Sequence, residues 1–233
     1  MRVAMYASVP TDEKGQDLEN QLAQLRGPKC QRSRPGSYKL IKNLTFNGPS
    51  GSACLSITGN FVTIDPAGFT ITGTSPVGPG PIPPPFPMAI EAGGNTTGIT
   101  VRNGSISGNF SDGVVLSGDG SIVEGLHVSN ATALGITARG IVRGNTAVGI
   151  FVGIDADGLI TGNYVSEAQS GIVAAGTVIG NTVTNSERGI VVGCPSNVTD
   201  NTATGNSIVD LFLHLTGCNN TNNVAPITNN VVP

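Results

Sequence analysis

The chain has 233 residues, 38% hydrophobic and only 12% charged, with 33 glycines, no tryptophan and a formal net charge of −3. It lacks the Ala, Leu, Glu and Lys density of a helical domain, and its low charge with recurring Val and Ile excludes a disordered chain, so turn-rich β structure remains. Residues 1–42 carry 8 of the 12 Lys+Arg, which leaves the rest with 4 against 11 Asp+Glu; a body this acidic has no phosphate-neutralising surface, and no nucleic acid is expected as its partner.

In chain order, residues 1–26 read MRVAMYASVPTDEKGQDLENQLAQLR, a short strand, a polar turn and the amphipathic start of a helix over 15–26. This stretch resembles the opening of the serine recombinase catalytic domain, whose first strand reads YARVSTDEQ. The resemblance would place a nucleophilic serine at position 10 and an active-site arginine at position 8, where this chain has Pro10 and Ser8. Proline has no hydroxyl to attack a phosphodiester, and serine offers no guanidinium, so recombinase activity is read as absent. Residues 1–34 are therefore expected to be a leader, loosely packed or left by a fusion, ahead of a body over 35–233.

The body opens with short alternating runs at Gly36–Leu40, 43–46, 55–57 and 62–64, each bounded by Gly, Pro, Asn or Ser, which is the pattern of strands of a few residues. From Ile64 an aliphatic position recurs as Val101, Val123, Val142, Ile160, Val178 and Val198, with Asn220 next, at intervals of 37, 22, 19, 18, 18, 20 and 22 residues. A period of that size is the mark of a stacked solenoid, in which each coil matches only its neighbours. The long first interval holds an insertion at 74–88, TSPVGPGPIPPPFPM, whose seven prolines forbid strand pairing. A second strand is expected at Gly113-Val114-Val115, Gly135-Ile136-Thr137, Gly171-Ile172-Val173 and Gly189-Ile190-Val191, and early in one coil, at Gly149-Ile150-Phe151.

Gly-Asn or a close variant follows the aliphatic position within three residues in four coils. It predicts a glycine corner and an inward column of Asn145, Asn163, Asn181 and Asn201, with Asn223 beyond, whose stacked amides bond from coil to coil. On PGSYKL, NFVTIDPAGFTITG, the GN-x-V repeats, GCPSNVTDNTATGN and GCNNTNN, residues 35–233 resemble bacterial right-handed parallel β-helix proteins of the pectate-lyase-like superfold. The resemblance implies an all-β, single-stranded, right-handed parallel β-helix of 18–22 residues per coil. That superfold carries lyases, hydrolases, epimerases and adhesins, so it does not decide activity. A rival remains in the six-residue grid of Val142, Val148, Ile154, Ile160, Ile172, Val178 and Ile190, which would suit a left-handed hexapeptide coil.

Candidate chemistry sits on the outward position after each aliphatic: Asp65, Arg102, Glu124 and Arg143, with His127 nearby. These form either an exposed ion column or a polysaccharide site in which the carboxylates act as acid and base and an arginine holds an acidic sugar. Asp155-Ala156-Asp157 reads as a solvated turn, well short of a calcium loop, and His127 and His214 are too far apart for a shared metal, so no metal and no cofactor are expected. Cys194 and Cys218, one coil apart, either form a disulfide in an oxidising compartment or stay as buried thiols. No apolar run reaches the length of a membrane span, and the N-terminus lacks a secretory signal although the body reads as exported, periplasmic or extracellular. The apolar run 208–215 suits a cap or a contact with another molecule. Three readings follow: a non-catalytic β-helix that binds or displays carbohydrate or cell-surface glycan, a polysaccharide lyase or glycoside hydrolase, and an ice-binding face built on Thr182/Thr184 and Thr202/Thr204. Ala147/Val148 and Tyr164 interrupt the last of these.

Overall fold

A computed structural model describes residues 5–8, 30–49, 51–74, 87–213 and 227–228. The expected helix over 15–26, most of the proline-rich insertion, His214, Cys218, Asn220 and Asn223 lie outside these residues, as does the side chain of Cys194. Among the described residues every regular element is a strand, and apart from one edge pair all are parallel and stacked in register: a parallel β-solenoid.

Each coil presents three faces. The first face stacks Cys30–Arg32, Ala53–Ile57, Met88–Ala92 and the opening residues of Asp112–Ser129, Leu134–Arg143, Val152–Thr161, Ser170–Ile179, Arg188–Thr199 and Val209–Leu213. The second stacks Gly36–Leu40 and Val62–Asp65 with the aliphatic positions that set the sequence period. There Ile64 pairs with Val101, then Val123, Val142, Ile160, Val178 and Val198 in unbroken register. The next partner of Val198 is Ile227 rather than Asn220. Extending the period of 18 to 22 residues falls short because this last interval, from Val198 to Ile227, is longer than every one after Val101. The third face stacks Leu44–Phe46, Thr70–Gly73, the end of Thr100–Gly108, the end of Asp112–Ser129, Thr146–Val148, Tyr164–Ser166, Thr182–Thr184 and Thr202–Thr204.

Inside, like residues sit on like. Ile64, Val101, Val123, Val142, Ile160, Val178 and Val198 are fully buried, as are Val114, Ile136, Ile154, Ile172 and Ile190 on the first face. Each column removes apolar surface from water at about 25 cal/mol per Å², and β-branched side chains suit it because their stiff χ1 fits a pleated surface. The expected early strand at Gly149-Ile150-Phe151 is not on this face. Ile136 pairs with Ile154, so the equivalent run is Gly153-Ile154, and Gly149 is a corner with φ +68. Gly113, Gly135, Gly153, Gly171 and Gly189 form a column for a steric reason, since a Cβ on any of them would run into a carbonyl oxygen of the next coil.

The six-residue grid does not describe this interior. On the third face the buried position is Ala147, and Val148 points outward with partial exposure, so the buried residues after Val142 are Asn145, Ala147 and Ile150 and the six-residue step is lost. At the start of the stack, Met5–Ser8 runs antiparallel to Gly36–Leu40 and covers that strand's outer edge, where unpaired N–H and C=O groups would otherwise face solvent.

Candidate functional site

The corner between the second and third faces is built by the Gly-Asn phrase. Gly144, Gly162 and Gly180 take φ of +61, +63 and +65, and Asp200 holds the same conformation at +57 in the fourth coil, a position that Asp tolerates better than most non-glycine residues. The turn sends the next side chain inward. Asn145, Asn163, Asn181 and Asn201 are 1–2% exposed. Asn145 Nδ2 donates to Asn163 Oδ1 at 3.0 Å, Asn163 Nδ2 to Asn181 Oδ1 at 2.9 Å, and Asn181 Nδ2 to Asn201 Oδ1 at 3.0 Å. Each receiving Oδ1 also accepts the backbone N–H of the asparagine before it, and each Nδ2 also donates to a carbonyl of the preceding coil, from Val123, Val142, Ile160 and Val178. The amides of Asn163, Asn181 and Asn201 use both lone pairs and both N–H groups in this way, which leaves them nothing to offer a ligand.

Outside, on the second face, the register places Asp65, Arg102, Glu124 and Arg143 one above another. They pair off. Arg102 Nε lies 3.3 Å from Asp65 Oδ2, and Asp65 Oδ1 accepts the N–H of Ala67 at 2.8 Å. Arg143 Nε donates to Glu124 Oε2 at 2.7 Å. The arginine side chains remain 41% and 55% exposed, so each pair is worth about 1 kcal/mol or less. His127 does not join them. It lies beyond the Gly125 corner on the third face, between Ser105 and Thr146, in an open trough whose wall includes Asn103 and Gly144. Sequence proximity to Glu124 misled because a solenoid corner turns residues three apart onto different faces.

Asp155 and Asp157 stand in the strand Val152–Thr161 rather than on a turn, with Ala156 inward and both carboxylates outward. Burial, and then the charge of Asp157, push the Asp155 carboxyl above its ordinary value. Its register neighbours are Thr137 and Val173, neither of them a cation. Among the described residues no group of three or more His, Cys, Asp or Glu side chains could hold a metal ion, and no helix is long and apolar enough to cross a membrane.

The third face was not read correctly from the sequence. From Thr70 onward its strand triplets are Thr-Ile-Thr (70–72), Ser-Ile-Ser (105–107), His-Val-Ser (127–129), Thr-Ala-Val (146–148), Tyr-Val-Ser (164–166), Thr-Val-Thr (182–184) and Thr-Ala-Thr (202–204). The middle residue of each is buried at 2% exposure or less, so the outer two form parallel outward columns. Thr146, not Ala147, continues the Thr182 column. Alternation counted from the inward Asn145 would have found this, because strand side chains point to opposite faces in turn. Comparison with protein-family models, curated proteins and solved structures yields no match for the chain.

Proposed function

We propose that this is a non-catalytic, exported solenoid of the right-handed, pectate-lyase-like kind that binds or displays carbohydrate or cell-surface glycan. The observation that carries this reading is the pairing of Asp65 with Arg102 and of Glu124 with Arg143 along an open column. Glycoside cleavage needs two carboxyl groups on opposite sides of one sugar, separated by about 5 to 10 Å across a cleft. Elimination needs a base and a free cation converging on one sugar ring. Carboxylates already paired with neighbouring guanidinium groups, Glu124 by a hydrogen bond from Arg143 and Asp65 by a charge contact with Arg102, suit neither role. The asparagine ladder likewise supports a scaffold, since its amides bond to one another and to the backbone. Recombinase chemistry is left out of the proposal because Pro10 and Ser8 occupy the positions of that family's nucleophile and arginine.

The test is to incubate the full chain with a panel of acidic and neutral polysaccharides and follow both retention on the polymer and release of products. Retention without product is expected. Cleavage that is lost in Glu124→Ala or Asp65→Ala would overturn the proposal and install the enzymatic alternative.

A further inference from the structure

The outward surface of the third face differs in chemistry from the other two. Of the fourteen outward positions in the seven triplets from Thr70 to Thr204, twelve carry a hydroxyl, the others being His127 and Val148, and no Asp, Glu, Lys or Arg occurs among them. The arginines of the body lie elsewhere: Arg102 and Arg143 on the second face, Arg188 on the first, and Arg139 beside Gly140 where the first face turns into the second. Successive rows are about 4.8 Å apart and the two columns about 7 Å apart. Seven rows therefore make an uncharged, hydroxyl-bearing strip about 29 Å long.

Tyr164 interrupts the strip in a specific way. Its backbone is in register with Thr182, yet its hydroxyl lies 3.2 Å from Thr184 Oγ1, in the next coil and the other column. An aromatic side chain can span such a diagonal, about 7 to 8 Å between positions, only by lying along the face. Ser166, in the column that the ring crosses, is 5% exposed, while Tyr164 itself is 41% exposed. The ring is thus tethered at its tip, reaches across the face from one column to the other and stays open to solvent, with hydroxyl groups in the rows on either side. A rigid aromatic surface in a field of hydroxyls suits a pyranose ring, whose C–H face is apolar and whose edge is polar. The absence of charge on the strip selects against uronic acids, phosphates and nucleic acid, which need cationic partners. A regular ice lattice fits less well, because Tyr164 and His127 break the repeat of small hydroxyl side chains.

From this we infer that the third face is the glycan-binding surface, and that its ligand is an uncharged, linear polysaccharide running along the solenoid axis with one sugar stacked on Tyr164. The inference rests on the carbohydrate-binding function proposed for the chain. A polymer along the axis meets a pair of hydroxyl positions at each coil, a repeat comparable with the advance of one pyranose residue, so contacts accumulate over many weak sites.

The test is co-sedimentation of the full chain with cellulose and with chitin, and affinity electrophoresis in soluble β-glucan and in polygalacturonate. Binding to at least one neutral polymer is expected, with little dependence on salt. Tyr164→Ala should weaken it at least tenfold and Thr202→Lys should weaken it as well, while Tyr164→Phe retains most of it and Arg143→Ala, on the second face, changes nothing. All these positions point outward, and thermal melting followed by circular dichroism checks that each variant stays folded. Should Tyr164→Ala unfold, Thr202→Lys and Thr182→Ala carry the same test. Neutral-glycan binding unchanged by the third-face variants would overturn this surface while leaving the carbohydrate reading in place. Selective binding to polygalacturonate would overturn the uncharged ligand. Ice shaping with no retention on any polysaccharide, or no retention at all, would overturn both the surface and the function on which it rests.

Discussion

Replacing Asn163 by leucine tests the asparagine column most directly. Asn163 is 2% exposed, and its side chain makes four contacts of 2.9–3.0 Å: it accepts from the backbone N–H and from Nδ2 of Asn145, and donates to Val142 O and Asn181 Oδ1. Leucine is close in size and more apolar, so a simple hydrophobicity argument predicts stabilisation. The hydrogen-bond account predicts the reverse. Each bond is worth about 0.5 to 1.5 kcal/mol net, and a buried N–H left without an acceptor costs about 1 to 3 kcal/mol more. Asn145 N–H loses its side-chain acceptor, and the four lost bonds with that stranded donor come to about 3 to 9 kcal/mol before any gain from the leucine's apolar surface. Urea unfolding measures the total. Because stacked repeats need not unfold in one step, amide exchange at Asn145 should be followed in parallel and should lose protection before the coils near Val114. An Asn163→Leu chain within about 1 kcal/mol of the parent, with Asn145 still protected, would refute the reasoning that these amides hold the corners.

Further expectations concern other parts of the coil. Gly153→Ala should destabilise more than Gly162→Ala, as read by melting temperature: a Cβ at 153 would meet the Gly171 carbonyl oxygen at 2.7 Å, whereas Gly162 has open space and only its φ of +63 to oppose substitution, about 1 to 2 kcal/mol. A double-mutant cycle on Glu124 and Arg143 should give a coupling below about 1 kcal/mol that fades in high salt, since the pair is exposed. Asp155 sets a pH dependence. Its carboxyl is raised in the fold above the ordinary value of 3.8, so the native state holds more protons than the unfolded chain between those two values, and stability falls as pH rises through that window. Asp155→Asn should remove that slope and leave the protein more stable at neutral pH, measured by urea midpoints across the acid range. Tyr164 is held below its usual pKa by its hydrogen bonds to Thr184 and then to Ser166, and Thr184→Val should move its absorbance titration upward.

Much of the scaffold was legible before any coordinates, because a stacked repeat writes its geometry into spacing. The aliphatic positions from Ile64 to Val198 are one register column, and the glycine of the Gly-Asn phrase does sit where a positive φ is needed. The errors came where spacing alone had to stand in for contact. Gly149-Ile150-Phe151 looked like a strand because Gly-aliphatic is common to the corners and the first face alike. Asn220 was reached by extending a period past the coil in which it changed.

By itself, then, the sequence determined that the chain is a parallel stack, since columns of Val and Ile at intervals of 18 to 22 residues bury apolar surface only when coil lies on coil. It also placed opposite charges one above another at Asp65, Arg102, Glu124 and Arg143. Only the tertiary structure decided which neighbours those charges chose, that His127 lies around a corner from Glu124, and that Thr146, Tyr164, Thr182 and Thr202 share one outward column. The physical reason is that a solenoid's surface is assembled across coils. Residues about twenty apart become neighbours while residues three apart part company, and the corner geometry that decides between them depends on single positive-φ residues whose effect is not carried by composition or period.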